Sequence, residues 1–301
     1  MTGLIDIIEK ENLGTYKENV SIKTLTTYKT GGNARLLVLP NSVESLIRII
    51  DYIKINKIKF KVFGNGSNIL ASSNDYNGVI IKLTNLNNLV QNDESIEVEA
   101  GYNFALLANN MSKKGYSGLE FACGIPATVG GAVYMNAGAY LSDVSEVLEK
   151  VDILDENENI KTIENKDLDF SYRHSAFMEK NWIILKAYFK LKKGNKDEIV
   201  ALINDRKQRR IASQPLEYPS AGSVFRNPEG NYAGKLIEDS NLKGHRIGGG
   251  QISDKHANFI INKDNATAED IKKLMDLAKE EVEKNYGIKL RIEQELFNWE
   301  K

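Results

Sequence analysis

The sequence predicts an α+β fold rather than a doubly wound parallel sheet, and three observations carry that reading. Helix-like and strand-like segments mix along the chain without strict alternation, whereas an all-parallel α/β sheet requires strands and helices to alternate. The glycine loop at 64–68 follows a strand-like run but leads into a second apolar strand, with no long amphipathic helix after it. A loop-rich style of chain starts at 215 with PLEYPSAGS, so residues from about 205 onward read as a separate α+β lobe.

The elements follow in order. Residues 3–13 carry apolar positions at Leu4, Ile5, Ile7, Ile8 and Leu13 and predict a short helix. Strands are expected at 20–27 and 34–39, joined by a turn at Gly31 and Gly32. The spacing of Val43, Leu46, Ile47, Ile50 and Ile53 predicts a helix over 42–56, because apolar residues three and four apart share one helical face. Strands follow at 59–63, 78–83 and 95–100, then a helix over 103–114 closed by Gly115, a residue suited to the left-handed cap conformation. Further strands are expected at 147–154, 159–163 and 183–191, and a helix over 196–212 whose Arg206, Lys207, Arg209 and Arg210 form a solvated face. The last helix starts at Thr267, with Asp270 three residues on in a variant of the capping box. Its apolar face runs through Ile271, Leu274, Met275, Leu277, Ala278 and Val282, and Gly287 ends it before a strand over 288–297.

Composition excludes several classes of function. The chain has 301 residues, 42% hydrophobic, with a formal net charge of -1, which gives no basic footprint for nucleic acid. One thiol, Cys123, cannot form an internal disulfide. His174, His245 and His256 do not fall at metal-ligand spacing, so no metal site is expected. The N-terminus lacks the basic start, long apolar run and cleavage site of a secretory signal. No segment approaches the ~18 apolar residues that span a bilayer. A soluble, cytoplasmic protein is expected.

The segment 119–140, LEFACGIPATVGGAVYMNAGAY, concentrates Gly124, Gly130, Gly131 and Gly138 among other small residues. Each glycine costs roughly 0.5–1 kcal/mol relative to alanine in regular structure, so such a run suits main chain lying close against something large and flat. In Gly64, Asn65, Gly66, Ser67 and Asn68 the glycines let successive amides converge on one point, a nest for phosphate oxygens. The loop lacks the Gly-Lys-Ser/Thr of a P-loop, and Ile69 stands where a Rossmann fingerprint has its third glycine. Alone, each loop is equally well a tight turn. Three of them beside strands point to one extended ligand containing a diphosphate, a bulky dinucleotide.

The runs GNGSNIL, GIPATVGGAVYMNAGAY, SYRHSAF, PSAGSVFRNP and AGKLIEDSNLKGHRIGG together resemble the UDP-N-acetylenolpyruvoylglucosamine reductase family, in its shorter type without an extra substrate-covering loop. The likeness extends from about 20 to 296. It implies an FAD-binding fold of the vanillyl-alcohol-oxidase (PCMH) type made of two α+β subdomains, 1–83 and 84–204, with a C-terminal α+β domain, 205–301, for a UDP-sugar. It implies NADPH-dependent, FAD-mediated reduction of UDP-N-acetylglucosamine enolpyruvate to UDP-N-acetylmuramate, a peptidoglycan precursor, by a monomer. By motif, Gly64, Asn65, Gly66, Ser67, Asn68, Ile69 and Leu70 are expected at the FAD diphosphate, with Gly31 and Gly32 nearby. Gly124, Ile125, Pro126, Ala127, Thr128, Gly130, Gly131, Asn136, Ala137 and Gly138 are expected along the flavin and the adenosine half. Family members often carry glycine where this chain has Ala127.

The same resemblance assigns the chemistry. Hydride from flavin N5 adds to the terminal carbon of the enolpyruvyl group, and negative charge spreads into its carboxylate. Arg173 is expected to hold that charge, since a guanidinium can bind a carboxylate through two hydrogen bonds. Ser223 is expected to give the proton, and Glu293 to assist the enolate, with Glu295 on the same strand face by period two. Tyr172, Arg226, Asn227, Lys235 and Lys255 are expected at the substrate. Two other readings stand beside this one: an FAD-dependent oxidase of the same fold, and a non-catalytic nucleotide-sugar-binding protein. Oxidases of this fold often tether flavin through histidine or cysteine, and here no histidine lies in a glycine loop and Cys123 is the only thiol near one.

Overall fold

A computed structural model describes residues 1–299. It opens with α1 (Thr2–Lys10), β1 (Gly14–Ser21), β2 (Asn33–Pro40), α2 (Val43–Ile55), β3 (Phe60–Phe63), β4 (Ile69–Ala71) and β5 (Tyr76–Lys82). The chain continues through β6 (Leu89–Asn92), β7 (Ser95–Glu99), α3 (Phe104–Lys113), β8 (Tyr116–Ser117), α4 (Val129–Tyr134), β9 (Gly138–Ala139) and β10 (Ser142–Asp143). Next come β11 (Leu148–Leu154), β12 (Ile160–Glu164), β13 (Ile183–Lys190), β14 (Lys192–Lys193) and α5 (Lys196–Ser213). The last part holds α6 (Ala233–Asp239), β15 (Arg246–Ile247), β16 (Gly250–Ile252), β17 (Ile260–Asn262), α7 (Ala268–Tyr286) and β18 (Glu295–Phe297).

These elements make two compact units that interleave in sequence. The first comprises Met1–Glu18, Leu36–Asn65 and Gly78–Gln208; the second comprises Asn19–Arg35, Gly66–Asn77 and Arg209–Lys301. A four-stranded sheet of order β1-β2-β5-β3 has β3 and β5 parallel, with Phe60 beside Val79. The first unit also holds an antiparallel sheet of order β12-β11-β13-β7-β6. Its core gathers Leu46, Ile49, Ile50 and Ile53 from α2, Phe104, Leu107 and Met111 from α3, and Val151, Ile153, Ala187 and Phe189 from the antiparallel sheet. In the second unit, β15, β16 and β17 form an antiparallel sheet and β18 runs parallel to β4. Ile271, Leu274, Met275, Ala278 and Val282 of α7 are buried there with Tyr28, Leu70, Val224 and Phe225.

Local chemistry explains where the helices begin and end. The Ser42 side chain accepts from the amide of Ser45 at 3.1 Å and starts α2, while Asn103 does the same for α3 through Leu106 at 2.8 Å. On α5 only Ile199 and Ile203 are buried, and the cations expected to form a solvated face are partly covered: Arg206, Lys207 and Arg210 are half-buried, with Arg206 stacked over the Tyr140 ring and Lys207 donating to Asn109. The capping box of α7 is present: Thr267 Oγ1 accepts from the Asp270 amide at 3.1 Å, and an Asp270 carboxylate oxygen accepts from the Thr267 amide at 3.0 Å. Gly287 ends that helix at φ 68°.

Two strands differ from the sequence reading. The strand expected at 20–27 lies earlier, as β1, and Ile22–Thr24 is a single 3₁₀ turn. Local bonds hold that turn: Leu25 N–H donates to Ile22 O and Thr24 Oγ1 to Ser21 O. The strand expected over 288–297 is regular only across β18. Upstream the chain stays extended with a different partner, since Arg226 N–H donates to Arg291 O and Glu293 N–H to Val224 O. Among the described residues, no helix is long and apolar enough to cross a membrane.

Thr267 is exposed, so replacing it changes capping rather than packing. Thr267→Ala is expected to cost about 1 kcal/mol, read as a lowered urea midpoint with an unchanged slope; an unmoved midpoint would show that the box contributes nothing.

Candidate active site

In the first unit, the glycine-rich run and Arg173 are bound into one patch. Thr128 caps α4, taking the Gly131 amide at 3.2 Å. The other early amides of α4 are already used, Val129 by Tyr102 O and Gly130 by Ala100 O. A short helix with its first donors satisfied internally has little left for an anion. Ala127 is buried among the core side chains, and its carbonyl accepts from the Phe104 amide at 3.0 Å. Its methyl is therefore accommodated in the core. Asn65 reaches the same run by donating to Pro126 O at 3.1 Å.

Asn136 is the central pin of this patch. It is buried at φ 41°, its Nδ2 donates to Ser171 O at 3.0 Å, and its Oδ1 accepts from the Ser145 amide at 3.0 Å. Ser175 adds a bond to Tyr134 O at 2.6 Å. Arg173 sits between these pins at φ 55°, with its guanidinium 5.1 Å over the Tyr172 ring and one N–H donating to Gly138 O at 2.7 Å. His174 holds the same loop from the other side. Its Nδ1 meets Asp169 O and its Nε2 meets a Glu179 carboxylate oxygen, each at 3.0 Å.

In the second unit, Gly66 adopts φ 65°, and a side chain there would overlap the carbonyl oxygen of Leu25. That carbon-free approach leaves the loop tight against residues 25–27, with Gly66 O taking the Thr27 amide at 3.1 Å. Gly32 is required for a similar reason, since a Cβ would lie 2.5 Å from Asn74 O. Gly31 and Gly32 thus line the chain's own backbone. Among the described residues, no acceptor takes the amides of Asn65, Gly66 and Ser67. Asn68 continues the loop into β4, accepting the Glu295 amide on its carbonyl at 2.8 Å and donating from Nδ2 to Glu293 O at 3.2 Å. Ile69 and Leu70 are buried strand residues.

Ser223 and Glu293 come together on paired main chain. Val224 O accepts the Glu293 amide at 2.8 Å, and Phe225 bridges Ile292. Ser223 is half-buried at the start of this pairing. Arg226 lies next along the same segment with its Nε buried and unpartnered. The remaining expected substrate residues have partners of their own. Asn227 caps α6 through the Ala233 amide at 3.0 Å, Lys235 pairs with Asp239, and Lys255 donates to Ile211 O at 2.6 Å. Sequence reading missed Asn258, whose side chain accepts from the Phe225 amide at 3.0 Å and donates to Phe225 O at 2.8 Å. A single buried asparagine in a loop carries no periodic signal that could have flagged it.

Residues 214–297 match the family of the UDP-N-acetylenolpyruvoylglucosamine reductase C-terminal domain, and residues 34–164 match the FAD binding domain family. A UDP-N-acetylenolpyruvoylglucosamine reductase of Caldanaerobacter subterraneus subsp. tengcongensis is 46% identical, covering 91% of this chain and 91% of its own. The chain belongs to the UDP-N-acetylenolpyruvoylglucosamine reductase family. A reductase of that name from Bacillus pumilus is 41% identical over 100% of both chains. The crystal structure of the reductase from Thermus caldophilus superposes with a TM-score of 0.81 at 33% identity, covering 94% of this chain and 100% of that one. Berberine bridge enzyme, at 13% identity and a TM-score of 0.51 over 64% of this chain and 44% of its own, shares the fold alone. Membership makes the protein an oxidoreductase flavoenzyme with the α+β FAD-binding fold of the PCMH type.

The residues present fit FAD. The three unpaired amides of Asn65, Gly66 and Ser67 suit diphosphate oxygens. Gly131 meets nothing nearer than its own cap, Thr128 Oγ1 at 3.3 Å, where a Cβ would stand, which leaves that face of the chain open to a flat ring.

The clamp on His174 gives the Arg173 loop an expected dependence on pH. The Glu179 carboxylate and then the Asp169 carbonyl raise the His174 pKa above 6.5. A raised value means that the stabilising contribution is complete below the ordinary histidine pKa and is lost as pH rises through the folded one. NMR titration is expected to give a His174 pKa above that of free histidine, falling toward it in Glu179→Gln. An ordinary value in the parent protein would remove the clamp.

Proposed function

We propose that this protein reduces the enolpyruvyl ether of UDP-N-acetylglucosamine enolpyruvate to the lactyl ether of UDP-N-acetylmuramate, with NADPH as the reductant, in the cytoplasm. The observation that supports it best is the pairing of the Ser223 and Glu293 segments. It holds the Ser223 turn against the carboxyl-bearing segment of Glu293.

The chemistry that bound FAD supplies is hydride transfer to the terminal carbon of the double bond, after reduction by NADPH. The chain's own residues then manage charge and a proton. As the new C–H bond forms, the π electrons move into the carboxylate as an enolate. Arg173 holds that carboxylate through its planar, permanently charged guanidinium. Glu293, when protonated, steadies the enolate by a hydrogen bond. Ser223 gives its hydroxyl proton to the neighbouring carbon and is reprotonated by solvent. A serine hydroxyl is a weak acid, so it serves only when held within hydrogen-bond reach of that carbon. The unpartnered Nε of Arg226 is a donor suited to the UDP diphosphate. Asn65, Gly66 and Ser67 hold the cofactor diphosphate.

The purified protein is expected to be yellow, to bleach with NADPH, and to recolour with the enolpyruvyl UDP-sugar. A colourless preparation with no affinity for FAD would overturn the reading. In Ser223→Ala, reduction by NADPH is expected to survive while reoxidation by the enolpyruvyl substrate falls by at least about a hundredfold; equal loss of both half-reactions would remove Ser223 from the role. Arg173→Met is expected to slow reoxidation by about 10²–10³, and unchanged turnover would exclude it as the charge stabiliser.

A further inference from the structure

Gln294 lies between the two glutamates of the final extended segment, and its side chain turns inward. It is 5% exposed. Its Nε2 points at three successive carbonyls, those of Ala221 at 3.1 Å, Gly222 at 3.3 Å and Ser223 at 3.4 Å. Its Oε1 accepts from the Tyr28 hydroxyl at 3.1 Å. The orientation of the carboxamide is fixed by chemistry, because three carbonyl oxygens can be met only by the NH₂ end. Two N–H bonds are thus fanned over three acceptors.

The loop so gripped needs holding. Gly222 adopts φ 74°, and a Cβ there would meet nothing within 4 Å. No side-chain wall therefore confines the residue just before Ser223, and glycine is the residue with the most backbone freedom to lose. The segment after Ser223 is fixed separately, with Val224 N–H on Asn258 O and both backbone groups of Phe225 on the Asn258 side chain. Only Gln294 holds the stretch from Ala221 to Ser223 by side-chain bonds among the described residues.

Tyr28 anchors the far end. It is completely buried, and its backbone carbonyl accepts from Asn262 Nδ2 at 3.0 Å. Burial pushes its phenol up, so it remains a protonated donor to Gln294.

We infer that Gln294, anchored by Tyr28, is a positioning residue that sets the backbone at Ala221–Ser223 and so aims the Ser223 hydroxyl. The inference rests on the reading of Ser223 as the proton donor. Its carboxamide is spent on Tyr28 and on the carbonyls of 221–223, so Gln294 acts through the loop it holds. Its loss therefore acts on the half-reaction that needs the serine proton and spares the one that does not.

The test uses FAD-loaded full-length protein and follows both half-reactions by stopped-flow absorbance, with Ser223→Ala as reference. Gln294→Met keeps the volume and removes the donors. Reoxidation by the enolpyruvyl UDP-sugar is expected to slow about tenfold to a hundredfold, with reduction by NADPH unchanged. Independently of activity, deuterium exchange across 219–227 in the unliganded protein is expected to quicken. Tyr28→Phe removes one hydroxyl only, and is expected to shift both readouts the same way to a smaller degree, which keeps the test valid if Gln294→Met folds poorly. Reoxidation and exchange both at parental rates, while Ser223→Ala is slow, would overturn the inference and leave the proton donor standing. Equal slowing of both half-reactions would also overturn it, as general damage. A Ser223→Ala protein that reoxidises normally would instead sink the proton-donor reading, and the aiming role with it.

Discussion

The extended segment 291–297 must satisfy two different partners within seven residues, and the second unit depends on its doing so. Its first half pairs with the main chain at 224–226, and its second half forms the parallel ladder of β18 with β4. Backbone groups buried without partners are costly, so each half must find its own ladder. The switch falls between Glu293 and Glu295. There Asn68 takes the Glu295 amide on its carbonyl and gives its side-chain N–H to Glu293 O. One segment therefore fixes the serine turn on one side and the end of the 64–68 loop on the other.

The first unit solves a different problem by different means. In the run from Gly124 to Gly138, Val129, Ala132 and Val133 pack into the core, and polar pins add to that packing: Thr128, Asn136, Ser175 and the bond from Arg173 to Gly138. Asn136, Tyr140, Leu141 and Arg173 all adopt positive φ. Conformations of this kind persist only where surrounding bonds over-determine them, and they concentrate at functional sites. Here the same bonds that enforce the strained backbone hold the guanidinium beside the glycine run.

Much of this was legible in the sequence because it rests on local chemistry. The helix over 42–56, the box at Thr267 and Asp270, and the end of α7 at Gly287 follow from spacing and capping alone. The glycine loops were legible as places of close approach, but not for the full reason: Gly32 and Gly66 answer to neighbouring backbone of the same unit. What could not be read is long-range. The single-turn detour at Ile22–Thr24 is set by bonds to Gly32 and within the turn. The strand that changes partner at 294 reads as one continuous run, because period-two alternation is the same on both ladders. Gln294 itself looks like one more polar strand residue between two glutamates, and only three-dimensional contact reveals that its carboxamide faces inward.

The interleaving of the two units has a consequence for biosynthesis. Residues 19–35 and 66–77 leave the ribosome early, yet the core they join is completed by residues after 209 and closed by β18. Domains generally fold as units while the chain is still being made. The first of these units can be complete once residue 208 has emerged, whereas the strand beginning at Ile69 stays without its ladder until translation has passed Phe297. For that interval its open edge is a point of contact for chaperones, and the turn at Ser223, paired to residues 292–294, is among the last parts of the second unit to be shaped.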